Sequence, residues 1–506
     1  MSEATDLRRW LEAGVDAVKR ARESLDAINV FPVADADTGT NIYLTLQEGN
    51  RAVAKLPDDA THREVVAAFA RGALVGARGN SGVIVSQYLS GFLTAIDERG
   101  GLNRARPAAI AEALEIAAEA AYRAVSSPVE GTILTVARAA AKGARGAVGA
   151  KAGREAVAVA AVVSARAALA ATHEQLPSAR RAGVVDAGAA GLVLQLEMLA
   201  ETLAGRDALA ALDEVEWELR DGHSVISTPS PHGHGLPGGG AYEVMFVASP
   251  PDMDDVDRLR LDLEGVGDSV TVSFGHGLAQ AHVHTDAPEL AVRIAQSVDA
   301  RQIVVRSLLM SHVADRAATG VVALTSCPGL AEPLTDAGAV VLVVPDPARM
   351  KKRELRRAVK DASGSSSVVV AGNLALRLAA RELAARRRHW RMTVLEAGHE
   401  AQVIAAVAAA ALATPGEDLA ALMADAVART ATGASSVDAL DDDVERLLGP
   451  HADVVTLILA RGVPADVAEA VRRLVARTAP MADVQVYEGG HGEPGILIGV
   501  ESSPVA

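Results

Sequence analysis

Asp35 and Asp37 are two carboxylates two residues apart at the mouth of an amphipathic helical pattern. They lie in the stretch Asn29-Val30-Phe31-Pro32-Val33-Ala34-Asp35-Ala36-Asp37-Thr38-Gly39-Thr40-Asn41. A helix start leaves backbone N–H groups unpaired and carries the positive end of the helix dipole, so it favours phosphate oxygens. Carboxylates at such a start can hold divalent cations. Together these features suggest a metal–nucleotide site; an Asp-rich turn with an N-cap is the plainer reading. Three further segments bear on the choice. Gly76-Ala77-Arg78-Gly79-Asn80-Ser81-Gly82 joins two helical runs with small residues that let a backbone approach a phosphate, and Ser81 offers a hydroxyl. Pro128-Val129-Glu130-Gly131-Thr132 opens another helix, and Gly183-Val184-Val185-Asp186-Ala187-Gly188-Ala189-Ala190-Gly191 places one carboxylate before a fourth. One Gly-rich helix connection is weak evidence. Four polar, small-residue loops at helix starts in one helical region are hard to explain by packing.

In this order the segments resemble the nucleotide-binding domain shared by dihydroxyacetone kinases and the ATP-binding component of bacterial fatty-acid kinase. The runs A-R-G-N-S-G-V-I, P-V-E-G-T-I-L-T-V and G-V-V-D-A-G look like the fatty-acid kinase branch, and the resemblance covers roughly the first 205 residues. Two departures stand out: the family usually has Pro where Ala34 stands and Gly where Ala36 stands. Ala36 therefore asks for a loop without a glycine-only conformation.

The elements that must position these loops follow from periodicity. Apolar spacing predicts about eight helices, over 5–27, 38–54, 62–77, 80–97, 107–126, 131–147, 154–173 and 187–204. An even number of antiparallel helices would gather the four loops at one end, and the resemblance implies an all-α, eight-helix antiparallel barrel. Residues 206–239 have linker composition, with His232 and His234 in a solvated setting. Strand patterns then appear at Ala241–Ala248, Ser269–Ser273 and Ala279–His284, with a helix near 287–299, giving a small α/β domain over 240–315. A second α/β domain fills 316–506. Its strands are expected at Gly320–Ser326, Val340–Val344, Ser367–Ala371, Val454–Ala460, Val484–Tyr487 and Ile496–Glu501. Its helices are expected at 347–361, 373–387, 400–413, 416–430 and 464–478.

His282 and His284 share one face of a strand, because side chains alternate with period two, and two imidazoles on one face suit zinc. The middle domain resembles that of the fatty-acid kinase component through Gly267-Asp268-Ser269 and His282-Val283-His284-Thr285-Asp286. The resemblance implies a metal site there, with Glu243 standing where the family has a Cys. Toward the C-terminus the likeness weakens. The family's Gly-, Thr- and Asn-rich loop is replaced by Pro345-Asp346-Pro347-Ala348-Arg349-Met350-Lys351-Lys352-Arg353, and its Asn-rich stretch is reduced to Asn373.

Composition fits a large soluble protein of about three domains: 506 residues, half of them hydrophobic, only 3% aromatic. Many close-packed Ala-rich helices satisfy those figures. A formal charge of −15 argues against nucleic acid and against an anionic membrane surface. The single Cys327 suits a reducing cytoplasm, and charges at Asp6, Arg8, Arg9 and Glu12 interrupt any secretory signal. The Ala/Val runs near 155–165 and 403–413 are too short to span a bilayer and read as core helices.

Phosphoryl transfer needs neutralised phosphates and in-line positioning more than covalent participation. Asp35 and Asp37 would hold Mg²⁺, with Asn29 as a third oxygen ligand. Thr40, Asn41, Ser81, Gly82 and Thr132 would contact ATP phosphates, with Thr38, Gly39, Asn80 and Gly188 in the same cofactor-binding loops. Asp186 would complete the metal shell or orient its loop. No general base accompanies them, and a fatty-acid carboxylate, ionised at neutral pH, needs none. A fatty-acid carboxylate is therefore the better-fitting acceptor; the resemblance implies a separate DegV-type fatty-acid-binding protein that presents it, and a homodimer is compatible with the resemblance. The alternatives are the kinase subunit of a dihydroxyacetone-type (glycerone) kinase and a non-catalytic ATP-binding regulator.

Overall fold

The computed structural model describes residues 3–210, 240–308, 319–362, 366–414, 416–449, 451–464, 466–493 and 495–502. The chain divides into two compact units, Met1–Gly240 with Ser249–His284, and Ala241–Ala248 with Thr285–Ala506.

The first unit is built from α1 (Glu3–Ala27), α2 (Thr38–Val53), α3 (His62–Gly76), α4 (Gly79–Glu98), α5 (Pro107–Arg123), α6 (Ile133–Gly149), α7 (Arg154–Gln175), the short α8 (Pro177–Ala182) and α9 (Ala187–Ala204). The eight expected helices all form, and α8 is added. Local chemistry sets the ends. Thr61 and Glu64 form a reciprocal capping box at α3, Pro107 and Pro177 occupy first-turn positions, and Gly183 closes α8 in the left-handed conformation. Consecutive long helices pack on one another, and α9 packs against both α7 and α1. Ala113, Ala117 and Ala121 of α5, Ala137 and Ala140 of α6 and Ala161 and Ala165 of α7 are all buried. Such small side chains let helix axes come close. The bulk is supplied elsewhere, as where Trp10 meets Phe92 edge-on at 5.5 Å.

By length and composition α7 and α9 could each cross a membrane. This corrects the view that the Ala/Val run near 155–165 is too short, since it extends through a 22-residue helix. Both helices bury a face in the shared core, as core helices of the same composition do.

After β1 (Tyr242–Ala248), which belongs to the second unit, the chain returns to the first through α10 (Met253–Glu264), β2 (Asp268–Gly275) and β3 (Leu278–Thr285). Strands β2 and β3 form an antiparallel hairpin in which Thr271 faces His282 and Ser273 faces Gln280. Cross-strand partners share a face, so these four side chains form one polar surface, and all are buried. The hairpin is hydrogen-bonded to the end of α5: Val272 N–H donates to the Ala124 carbonyl and Ser126 N–H to that of Val270, both at 3.2 Å.

The second unit continues with α11 (Pro288–Ser297), β4 (Arg301–Ser307), β5 (Thr319–Thr325), α12 (Ala331–Asp336), β6 (Val340–Val343), α13 (Lys352–Asp361), β7 (Ser366–Ala371), α14 (Leu374–Arg386), β8 (Met392–Val394) and α15 (Glu400–Ala411). Strand β4 pairs antiparallel with both β1 and β6, and β6-β5-β7-β8 run parallel in that order. The boundary expected at 315 is thus bridged by β4–β6 pairing. The remaining elements are α16 (Leu419–Arg429), β9 (Thr430–Ser435), α17 (Leu440–Leu447), β10 (Ala452–Leu459), α18 (Val467–Thr478), β11 (Asp483–Glu488) and β12 (Ile496–Ser502). Their strands form a second sheet in the order β11-β10-β12-β9. Most of the expected linker, with His232 and His234, lies outside the described residues.

Candidate functional site

The loop between α1 and α2 holds the two leading carboxylates in fixed poses. The Asn29 amide donates to Asp35 Oδ1 at 2.6 Å, and the Asn41 amide donates to Asp37 Oδ1 at 2.8 Å. Asn29 therefore orients Asp35 through its amide N–H. Asp37 is the N-cap residue of α2 but makes no side-chain cap bond. Both carboxylates are partly exposed, which leaves them open to an ion from solvent. Between them Ala36 sits at φ 51°. The expectation of a loop without a glycine-only conformation is corrected: the left-handed turn is retained with Ala in it, at a cost of about 1–2 kcal/mol.

Thr40 is tied to α1. Its N–H donates to Asp26 Oδ1 at 2.9 Å and its hydroxyl to Asp26 Oδ2 at 2.8 Å, so its donors are occupied by a buried carboxylate of α1. Thr40 anchors the start of α2. The Thr38 and Gly39 N–H groups just before it have no partner among the described residues.

The second loop docks on the first. Thr38 Oγ1 and Ser81 Oγ are 3.5 Å apart. Gly79 has φ 55°, and a Cβ there would collide with the Asn41 amide, so only glycine permits this approach. Arg78 is buried; its N–H donates to Thr45 Oγ1 at 3.1 Å and its guanidinium to the Gly76 carbonyl at 3.2 Å. The N–H groups of Gly79, Asn80 and Ser81 have no partner among the described residues, and neither does the buried Asn80 Oδ1. From β3, the Gln280 amide donates to the Ala77 carbonyl at 3.0 Å.

The third and fourth loops meet at Asp186, the N-cap of α9. Its Oδ1 accepts from Ala189 N–H at 2.7 Å, and its carboxylate also accepts from Ile133 N–H at the start of α6. Burial pushes its carboxyl up to about 6, against the pull of those two N–H groups. Its own N–H donates to Thr172 Oγ1 at 3.0 Å. Beside it, a Cβ on Gly188 would lie 3.4 Å from Asp186 Oδ1, 3.6 Å from Ser81 Oγ and 3.7 Å from Ile133 Cβ. The Thr132 hydroxyl donates to the Val129 carbonyl at 2.7 Å and caps Leu134 N–H, so its donor is used within the loop.

All four loops thus meet: the first touches the second through Thr38 and Ser81, the second approaches the fourth through Ser81 and Gly188, and the fourth holds the third through Asp186. The pieces suit Mg-ATP. Partly exposed carboxylate oxygens match a hard cation, unpaired N–H groups at helix starts match phosphate oxygens, and Asn80 Oδ1 is a buried acceptor lacking a donor. Sequence reading missed Asp26, Thr45, Thr172 and Gln280. Each lies on a regular helix or strand, where a lone polar residue carries no local signal.

In the hairpin, His282 and His284 lie on the same face of β3 with ring centroids 4.8 Å apart, and both are buried. Glu243 is buried on β1 in the second unit, where it forms an ion pair with Arg306 of β4. Its carboxylate already has a cationic partner, which sequence alone did not foretell.

Residues 32–201 match the family model of the DAK2 domain, and residues 239–312 match that of the FakA-like middle domain of fatty acid kinase. The chain is 35% identical over 292 residues to protein YloV of Bacillus subtilis (strain 168), covering 56% of this chain and 51% of that protein. It is 29% identical over 354 residues to an uncharacterized protein of Staphylococcus haemolyticus (strain JCSC1435), covering 65% of this chain and 62% of that one. An uncharacterized protein of Staphylococcus aureus (strain USA300) is 33% identical over 282 residues, 54% of this chain and 50% of its own length. The chain therefore spans about half to three fifths of the length of these curated relatives.

Proposed function

We propose that the chain, which matches the DAK2 and FakA-like middle-domain models, is a fatty acid kinase-type protein and the ATP-using component of a two-component kinase. It transfers the γ-phosphoryl group of Mg-ATP to the carboxylate of a fatty acid presented by a separate, DegV-type acyl-binding protein, giving acyl phosphate and ADP. The helical unit is taken as an eight-helix antiparallel barrel with the site at one rim, in a cytoplasmic protein. What supports the reading is the meeting of four loops, each at a helix start, around Asp35, Asp37, Ser81 and Asp186.

In this reading Asp35 and Asp37 hold Mg²⁺, which when bound neutralises phosphate charge. Asn29 and Asn41 keep the two carboxylates in place. The N–H groups of Thr38, Gly39, Gly79, Asn80 and Ser81, with the Ser81 hydroxyl, bind phosphate oxygens. Asp186 fixes the starts of α6 and α9 around the nucleotide. The acceptor oxygen is already anionic, so no side chain has to remove a proton. His282 and His284, side by side on one face of β3, are assigned to zinc.

The test is ATP consumption by the purified chain with Mg²⁺ and candidate fatty-acid-binding proteins, each loaded with oleate or palmitate. Turnover dependent on both protein and acyl chain is expected. Turnover on a triose with a separate substrate-carrying protein, or ATP binding with no turnover on any acceptor, would overturn the assignment.

A further inference from the structure

Charge is unevenly spread along this chain. Residues 349–391 hold 13 Lys or Arg against 3 Asp or Glu, a net +10, so the other residues carry −25 of the total −15. The segment runs from the turn before α13 through β7 and α14 to the start of β8. Lys352 of α13 pairs with Glu382 of α14, which also takes Arg386 at 2.8 Å. These pairs draw the two helices' basic residues into one region. Arg353, Arg388 and Arg391 are exposed and form no ion pair among the described residues, and Arg387 lies 5.9 Å from the centre of the Trp390 ring.

Helix α14 has a second peculiarity. Leu376, Ala380 and Leu383 face the core, as expected for an amphipathic helix. On the opposite side Leu374 and Leu378, one turn apart, are each 54% exposed. A merely solvated helix face would carry polar residues there.

We propose that α14 and the basic turns beside it dock the protein on an anionic lipid bilayer surface. An interfacial helix sinks apolar side chains into the acyl boundary while Lys and Arg meet the headgroups. The two exposed leucines on the helix that leads into the Arg386–Arg391 run fit that division. A nucleic-acid backbone would use the arginines and leave the leucines without a role. The whole-chain charge of −15 argued against an anionic membrane only as an average. At physiological salt a charge acts over about 8 Å, so what this face attracts is decided by its exposed basic residues Arg353, Arg387, Arg388 and Arg391, whereas Arg349, Arg377 and Arg381 are paired with Asp299 and Glu396 and Arg357 is buried beside Asp361. The −25 elsewhere orients the protein with this face toward the bilayer.

Co-sedimentation of the full chain with phosphatidylcholine vesicles, with and without an equal share of phosphatidylglycerol, tests the proposal without ATP or an acyl acceptor. Its outcome is therefore separate from that of the kinase reading. Binding is expected only to the anionic vesicles, weakening as salt rises. Reversing Arg387, Arg388 and Arg391 together to Glu should reduce it by at least about a hundredfold, at about fivefold per basic residue. Leu374→Gln with Leu378→Gln should weaken vesicle binding at unchanged melting temperature. The absence of binding at low salt, or binding that both variants leave intact, overturns the proposal. So does a face that binds duplex DNA or an acidic polypeptide and ignores vesicles.

Discussion

The Gln280 amide on β3 donates a 3.0 Å hydrogen bond to the carbonyl of Ala77, the residue immediately before Arg78 and the unpaired N–H groups of Gly79, Asn80 and Ser81. The hairpin thereby fixes the backbone of the loop to which the proposed phosphate contacts are assigned. Gln280→Leu roughly keeps the volume but takes this donor away from a buried carbonyl, a cost of about 1–3 kcal/mol. Faster hydrogen exchange at residues 78–82 and a KM for ATP raised about fivefold or more are expected, with kcat less affected. Unchanged exchange in this loop would remove Gln280 from the site.

Asp35→Ala and Asp37→Ala should each lower Mg-ATP turnover by at least ~10²-fold, because in the proposed reaction each removes charge where the transferred phosphoryl group would be stabilised. Circular dichroism and melting should stay near wild type, since both side chains are partly exposed. Wild-type activity in both variants would take the carboxylate pair out of the mechanism.

Ala36→Gly should stabilise the protein by up to about 1 kcal/mol, because glycine adopts φ 51° without the Cβ clash but gains freedom when unfolded. Urea unfolding measures this. A clear loss of stability would mean that Ala36 is not strained.

The Asp186 carboxyl, pushed up to about 6 by burial, lies above its unfolded value of ~3.9. Native protein then binds more protons than unfolded protein between those values, so stability falls as pH rises from about 4 to 6. Below that window both states are protonated and the effect vanishes; above it a cost of about 3 kcal/mol persists. Asp186→Asn keeps an acceptor for the Ala189 and Ile133 N–H groups and cannot ionise. In metal-free buffer without nucleotide, wild-type stability relative to this variant should drop across that window; a flat difference would contradict the shift.

If His282 and His284 bind zinc, protein purified without chelator should contain about one equivalent, and His284→Ala should lose it without changing ATP affinity. Metal-free wild-type protein of normal stability would sink the assignment.

The sequence by itself determined the local features. Apolar periodicity placed α1–α7 and α9 to within a few residues, and alternation placed β1, β2 and β3. The four loops were legible because small and polar residues cluster at helix starts, a signal contained within a few positions. It missed α10, where Asp and Glu outnumber the apolar contacts Val256, Leu259 and Leu263. It also missed β9, whose Thr-Ala-Thr-Gly-Ala-Ser has little strand character and is held by pairing with β12.

Tertiary structure alone decided the partners. Asp26 claims the donors of Thr40 from 14 residues away, Gln280 reaches Ala77 across 203, and Arg306 pairs with Glu243 across 63. No spacing rule foretells such contacts, because hydrogen-bond and ion partners are set by where whole elements pack. Ala36 shows the same limit for the backbone. Its own preference is against a left-handed turn, but the contacts holding Asp35 and Asp37 on either side outweigh about 1–2 kcal/mol of strain at one residue.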